Sequence, residues 1–256
     1  MSEHHAITRR SFEQQVGLFS GPDSPFARRP ESTLAWIEPL DANLVVLDVA
    51  CGAAHVAETI APHVRRVVGV DLTPALLELG SARLQGSGIT NVFLQEGDAV
   101  SLPFVDGSFD LVVCRTALHH FPDKRGAVEE MSRVCRPDGR VVVADMVAPS
   151  AVVRHTFDDV HRAFDPSHAD VLLERELAEL VADVVGPLTY GATDTLRDLP
   201  VDVMLTDASD REAAIGPIRD ELAGGVPTGL APRRDGEQIL VSFPITVVHA
   251  QRATCS

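Results

Sequence analysis

A doubly wound α/β fold is predicted by three features of the chain. Between residues 41 and 150, short apolar runs alternate with stretches of helical periodicity. Those runs are bounded by Gly, Pro or Asp, the residues that punctuate strands and turns. After Ser150 the texture changes and becomes helical and acidic. Strands alternating with helices require right-handed crossovers, and these produce a parallel sheet covered on both faces.

Taken in order, LVVLDV (44–49) opens the sheet and HVAETIAPHV (55–64) follows it as a helix. RVVGV (66–70) is the second strand. The helix TPALLELGSARLQ (73–85) starts with Thr73 as N-cap and Pro74 at its first position, and Gly86 and Gly88 stop it. NVFLQ (91–95) and FDLVVC (109–114) are strands, and DKRGAVEEMSRVC (123–135) is a helix. The turn Pro137-Asp138-Gly139 then leads into the strand RVVVAD (140–145). Beyond Asp165-Pro166-Ser167-His168, apolar residues recur at helical spacing in ADVLLERELAELVADVV (169–185). A short strand at LTY (188–190) and a long one at QILVSFPITVVH (238–249) finish the sheet, with Pro244 placing the latter near an edge or at a bulge. Residues 195–236 read as a helical insertion, and residues 1–40 as an N-terminal helical cap ahead of a main domain at 41–256.

Charge and composition exclude several classes. The 256 residues carry 22 Lys plus Arg against 37 Asp plus Glu, a formal charge of −15, so phosphate backbones meet a repulsive net field. Nucleic acid is therefore not expected as a partner. Apolar residues make up 45%, enough for a real core. No apolar run approaches bilayer length and none follows MSEHHAITRRSF as a leader would, so membrane insertion is not expected and a cytoplasmic location is. Cys51, Cys114, Cys135 and Cys255 form no CxxC pair, and reduced buried thiols are the expectation.

In such a sheet the ligand lies beyond the carboxyl ends of the strands where strand order reverses. The turn after the first strand reads Asp48-Val49-Ala50-Cys51-Gly52-Ala53-Ala54-His55. A dinucleotide turn GxGxxG would need glycine at 50, 52 and 55, and only Gly52 is present. Asp48 would moreover repel a pyrophosphate, while it suits a cation such as an amino acid's ammonium. Nineteen residues after Gly52, Asp71 ends the second strand where an acidic side chain accepts both hydroxyls of a ribose. Asp98, after the third strand, is placed to accept the exocyclic amine of adenine, with Leu72 and Ala99 packing on the ring. A ribose, a positive group and no phosphates together describe S-adenosylmethionine.

With these residues in view, segments 44–145 resemble the class I S-adenosylmethionine-dependent methyltransferases, especially the ubiquinone and menaquinone biosynthesis branch. The matching stretches are VLDVACGAAHVA, VVGVDLTPALLELG, GDAVSLPFVDGSFDLVVCRTALHHF and MSRVCRPDGRVVVAD. Where the family usually has glycine this chain has Ala50 and Ala54, and the added methyls are expected to need little room. The resemblance implies a Rossmann-like, mostly parallel sheet with an antiparallel last strand, a cofactor-binding half (41–150) and an acceptor-binding half (151–256). Asp48, Ala50, Cys51, Gly52, Asp71, Leu72, Asp98, Ala99 and Arg115 are the expected cofactor residues.

Methyl transfer from a sulfonium needs alignment and exclusion of water, and a base only when the acceptor holds its proton tightly. His119, His120 and Asp145 are the candidates, at the ends of the fourth and fifth strands. Their bland readings are a helix cap for His119, a cofactor wall for His120 and a loop carboxylate for Asp145. Arg115 either recognises an anionic acceptor or offers only its backbone to the cofactor ammonium. Cys51 reads as a small turn residue rather than a nucleophile. Asp158, His161, Asp165 and His168 have metal-ligand spacing, but Pro166 breaks the helix that would align them, so no metal is assigned. His4 and His5 read as terminal disorder, SFEQQVGLFS as a lid or as packing on the sheet edge, and Trp36 as core. Leu199, Val203, Met204 and Leu205 wall an apolar acceptor pocket or form a homodimer contact. The expected activity is methyl transfer to a small, partly apolar acceptor. The competing reading keeps the cofactor without transfer, as a regulatory protein or one that rearranges its ligand. Lys124, the only lysine, leaves little room for Schiff-base chemistry.

Overall fold

In the computed structural model, which describes residues 3–20 and 30–253, the Val-rich runs form five parallel strands. These are β1 (Val45–Val49), β2 (Arg66–Asp71), β3 (Val92–Glu96), β4 (Phe109–Arg115) and β5 (Cys135–Met146). Successive side chains in a strand point to opposite faces. Val46, Leu111, Val113 and Val142 therefore enter one apolar layer, and Leu47, Val49, Val112 and Val143 enter the other. The first layer is covered by α3 (Pro30–Ile37), α4 (His55–Ile60) and α5 (Pro74–Gly86), and the second by α6 (Lys124–Val134) and α8 (Glu174–Val184). Burial on both faces is why these strands carry unbroken apolar runs.

The sheet continues with β6 (Leu188–Pro200), β7 (Arg233–Asp235) and β8 (Gln238–Gln251) in the order β3-β2-β1-β4-β5-β8-β6, β7 pairing with β8. As expected, β8 runs antiparallel to β5, from Arg140↔Gln251 to Met146↔Ile245. A third apolar cluster joins Val241, Phe243 and Ile245 of β8 to α7 (Arg154–Phe164) and α9 (Arg211–Leu222).

Three features differ from the sequence reading, and a fourth refines it. The strand expected at 188–190 extends to Pro200, so the insertion begins only at Val201. Its residues are largely exposed along a sheet edge and include Asp194, Arg197 and Asp198, so no apolar run announces it. β8 lies between β5 and the edge strand β6, near the edge as Pro244 suggests. Pro244 lies one residue past the last β5 pair, and its carbonyl still accepts from Val147 N, so the missing N–H breaks no ladder bond. Pro137-Asp138-Gly139 is an irregularity inside β5, where the register steps from Phe109↔Cys135 to Leu111↔Arg140 and Asp138 takes φ +59°. Finally, His4 and His5 belong to α1 (Glu3–Gln14), which is followed by α2 (Val16–Phe19).

Cys51, Cys114 and Cys135 are free buried thiols, while Cys255 lies outside the described residues. Among the described residues no helix is long and apolar enough to cross a membrane.

Candidate active site

The strand order reverses between β1 and β4, and a cavity of about 510 Å³ opens at the carboxyl ends there. Strand ends form its floor, and α1, α2 and residues 194–204 form its roof.

The turn leaving β1 takes the left-handed conformation at alternate residues: Ala50 at φ +54°, Gly52 at +53° and Ala54 at +61°. The two alanines do find room, but their cost lies in the backbone, about 1 kcal/mol or more for an L-residue in that region. Asp71 ties this turn to the next one. Its Oδ2 accepts from Gly52 N and its Oδ1 from Thr73 N, each at 2.8 Å, and the residue lines the cavity. Burial pushes the Asp71 carboxyl up, opposed by the Thr73 and Gly52 amides. Asp48 is buried with no partner for Oδ2 among the described residues. Burial drives its pKa to about 7, Arg115 pulling it down and Asp71 pushing it up.

Arg115 is half-buried and brings its side chain to the cavity wall, with Cζ 6.0 Å over the Trp36 ring and its charge beside Asp48. Trp36, expected in the core, is half-buried and also joins the cavity wall. Cys51 packs its sulfur against Gly69, where a side chain would clash, and burial holds the thiol well above its ordinary pKa. Half-buried Leu72, Asp98 and Ala99 line the far end. Asp98 Oδ1 accepts from Val100 N at 3.1 Å, and Oδ2 lies 3.4 Å from His5 Nε2.

At the opposite end four histidines come together from three segments: His119 and His120 after β4, His161 on α7, and His168 beyond it. Ring centroids are 4.0 Å apart for His119–His120, 5.6 Å for His119–His168 and 5.4 Å for His161–His168. Their partners fix the tautomers. His119 Nδ1 is 2.6 Å from Asp145 Oδ1, and a carboxylate only accepts, so Nδ1 donates and Nε2 keeps its lone pair. Asp145 also accepts from the amides of His119 and Met146. Burial would raise this carboxyl, but His119 and those bonds outweigh it and hold it below its usual value. Asp145 thus anchors His119, which does not cap α6; Asp123 does, accepting from Gly126 N.

His120 Nδ1 lies 3.0 Å from Ser167 Oγ, which spends its proton on Asp165 Oδ1 at 2.6 Å, so His120 donates. Burial and neighbouring His119 lower its pKa to about 3. His168 Nε2 donates to Asp158 Oδ1 at 2.7 Å. His161 Nδ1 donates to the Phe157 carbonyl at 2.9 Å, and burial lowers its pKa to about 3. Asp158, Asp165 and His168 are thus engaged in local anchoring bonds, and His161 uses Nδ1 in one and leaves Nε2 without a partner among the described residues. Among the described residues no group of three or more His, Cys, Asp or Glu could hold a metal ion.

Helix α1 closes over this end. His4 Nε2 donates to His120 O at 2.7 Å, Ser11 Oγ to Asp165 Oδ1 at 2.7 Å, and Phe12 meets His120 edge-on at 5.0 Å.

A family model for the methyltransferase domain matches residues 47–143. The methyltransferase GfsG of Streptomyces halstedii is 32% identical over 220 residues, covering 82% of this chain and 74% of GfsG. The uncharacterized methyltransferase YcgJ of Bacillus subtilis is 45% identical over 124 residues, 48% of this chain and 49% of YcgJ, so the match spans about half the length of that curated relative. A crystal structure assigned to a methyltransferase of Bacillus halodurans C-125 superposes with a TM-score of 0.75 at 25% identity, covering 91% of this chain and all (100%) of that one. The chain belongs to the class I S-adenosylmethionine-dependent methyltransferase family. Within it, the menaquinone branch is represented by partial similarity to demethylmenaquinone methyltransferase, 36% identical over 110 residues.

Proposed function

We propose that this protein transfers a methyl group from S-adenosylmethionine to a hydroxyl of a small, partly apolar acceptor, with His119 as base. The observation carrying this reading is one cavity lined both by a buried carboxyl, Asp48, whose Oδ2 has no hydrogen-bond partner among the described residues, and by a carboxylate-anchored imidazole, His119.

The residues fit the cofactor. Asp48 Oδ2 lacks a donor, and an amino acid ammonium provides one, while adjacent Arg115 suits the carboxylate of the same tail. Asp71 has lone pairs for a ribose diol, Asp98 accepts from the adenine amine, and Leu72 and Ala99 pack on the ring. Ala50, Cys51 and Gly52 let the ligand approach the backbone. When bound, S-adenosylmethionine supplies an electrophilic methyl on a sulfonium, so an in-line nucleophile suffices.

His119 then acts as the base through Nε2. Its Nε2 lone pair takes the proton from the acceptor hydroxyl as that oxygen attacks, and Asp145 stabilises the resulting imidazolium across the 2.6 Å bond. His120, held neutral, contributes wall rather than proton transfer. α1 and the apolar segment at Leu199, Val203 and Met204 keep water out. Leu205, grouped with that wall in the sequence reading, instead packs in the α7/α9 cluster. The reading without transfer was motivated by Ala50 and Ala54, and the turn keeps its left-handed geometry at both.

Calorimetric titration with S-adenosylmethionine is expected to give a Kd of about 1–100 µM, weakened at least about tenfold in Asp71→Ala. No heat with the wild type defeats the cofactor assignment. A screen of phenols and alcohols with deuteromethyl donor identifies a methylated product by mass. On that substrate His119→Gln lowers kcat about 10²- to 10⁴-fold with donor affinity unchanged, and an undiminished kcat removes His119 as base.

A further inference from the structure

We propose that His161 is a second recognition point for the acceptor, its Nε2 accepting a hydrogen bond from an uncharged hydroxyl other than the one methylated. The acceptor class is then a small lipophilic molecule carrying at least two hydroxyls. This assignment rests on the reading of the cavity as a methyl-transfer site.

The argument starts from the tautomer. The Phe157 carbonyl offers no proton, so Nδ1 of His161 carries the hydrogen of that 2.9 Å bond, and Nε2 is a bare acceptor. Nε2 is buried and has no partner among the described residues, although the residue is part of the cavity wall. The side chain cannot swing away to find one. Its ring lies 4.2 Å from Phe157, 5.4 Å from His168 and 5.6 Å from Phe243, edge-on to the last.

The surroundings select the ligand group. Met146, Phe243 and Ile245 are apolar neighbours in the cavity wall, and an ordered water needs two or more polar partners that these do not offer. The nearby carboxylates are already engaged: Asp158 by His168 and Val171 N, and Asp165 by Ser11 and Ser167. An uncharged hydroxyl on an apolar frame satisfies Nε2 without displacing any of these bonds and leaves the wall dry. His161 and His119 each pack against His168, at 5.4 and 5.6 Å, and the anchored and the reacting hydroxyl are assigned to these two different rings.

Binding of a panel of dihydroxynaphthalenes, each against its matching naphthol, tests this with wild type, His161→Phe and His161→Gln, in the presence and absence of S-adenosylhomocysteine. His161→Phe preserves the ring packing on Phe157 and Phe243 but removes the acceptor atom. At least one diol should bind wild type about tenfold tighter than its mono-ol, and the preference should vanish in His161→Phe and partly return in His161→Gln. With ¹⁵N-histidine labelling, the His161 Nε2 resonance should sit in the unprotonated range at neutral pH and shift on addition of that diol. A preference retained in His161→Phe, no preference anywhere in the panel, or an unmoved Nε2 resonance at saturation overturns the proposal. Failure of S-adenosylhomocysteine to bind sinks the methyl-transfer reading instead, and the diol preference measured without it still decides the role of His161.

Discussion

Ala50 and Ala54 occupy the same backbone region and should respond differently to glycine. Both relieve a left-handed strain of about 1 kcal/mol. Ala54, however, is fully buried in the layer beneath α4, and losing its methyl costs about 0.8 kcal/mol. Ala50→Gly should therefore raise the urea midpoint by about 1 kcal/mol equivalent at unchanged slope, while Ala54→Gly should leave it nearly unmoved. Asp48 carries a pH signature. With its pKa near 7, the cofactor-free protein must lose a proton there to hold an ammonium, so cofactor affinity should rise from pH 6 to 8 and this rise should disappear in Asp48→Asn. For folding the sign is opposite. A carboxyl whose folded pKa is raised contributes stability that is full below about pH 4 and lost as pH rises through about 7. Urea denaturation without cofactor should accordingly show Asp48→Asn gaining on the wild type between pH 5 and 8.

At the level of elements, α1 is held over the cavity by contacts of unequal worth. Arg9 meets Glu96 at 2.5 Å, but that carboxylate is half-exposed, and such pairs contribute little. Ser11 is buried and donates to the charged Asp165, which Gln15 supports through Ser11 Oγ at 2.9 Å. If α1 serves as the lid of the proposed site, Ser11→Ala should speed S-adenosylhomocysteine release about tenfold and Arg9→Ala less than about threefold. Stopped-flow displacement distinguishes the two, and equal rates would remove the lid role. β6 and β8 work in the same way on the other side. Their antiparallel pairing carries residues 194–204 to the roof of a crevice whose floor belongs to the parallel strands.

Over the whole molecule, the buried histidines set the acid limit of the fold. His120 and His161, lowered by burial to about 3, remain neutral when folded but charge near pH 6.5 when unfolded. Their contribution is full above about pH 6.5 and is lost as pH falls toward 3, opposite in direction to that of Asp48. It is read from the difference between wild type and His161→Phe, which should shrink from pH 7 to 4 as the wild type weakens. An unchanging difference would show that the imidazole is solvated in the native state.

Much of this was written in local pattern. The parallel strands, their helices and the carboxylates Asp48, Asp71 and Asp98 at strand ends were legible because burial on two faces forces apolar runs, and strand ends define where a ligand lies. Residues 191–200 left no such mark, since an edge strand satisfies one side with water and needs no apolar face. Pro244 pointed to a strand near the edge, but where the β5 ladder stops, a register that no local rule contains, was not legible from it. The histidine cluster was hidden for the same reason. His119, His161 and His168 become neighbours only when α7 packs on β8, and the bare nitrogen of His161 exists only because a carbonyl one turn earlier accepts the hydrogen bond that keeps the proton on Nδ1. The sequence by itself determined the sheet and the carboxylate ends of the crevice, whose causes act within a few residues. The tertiary structure alone decided the far wall, because its contacts join segments separated by tens of residues.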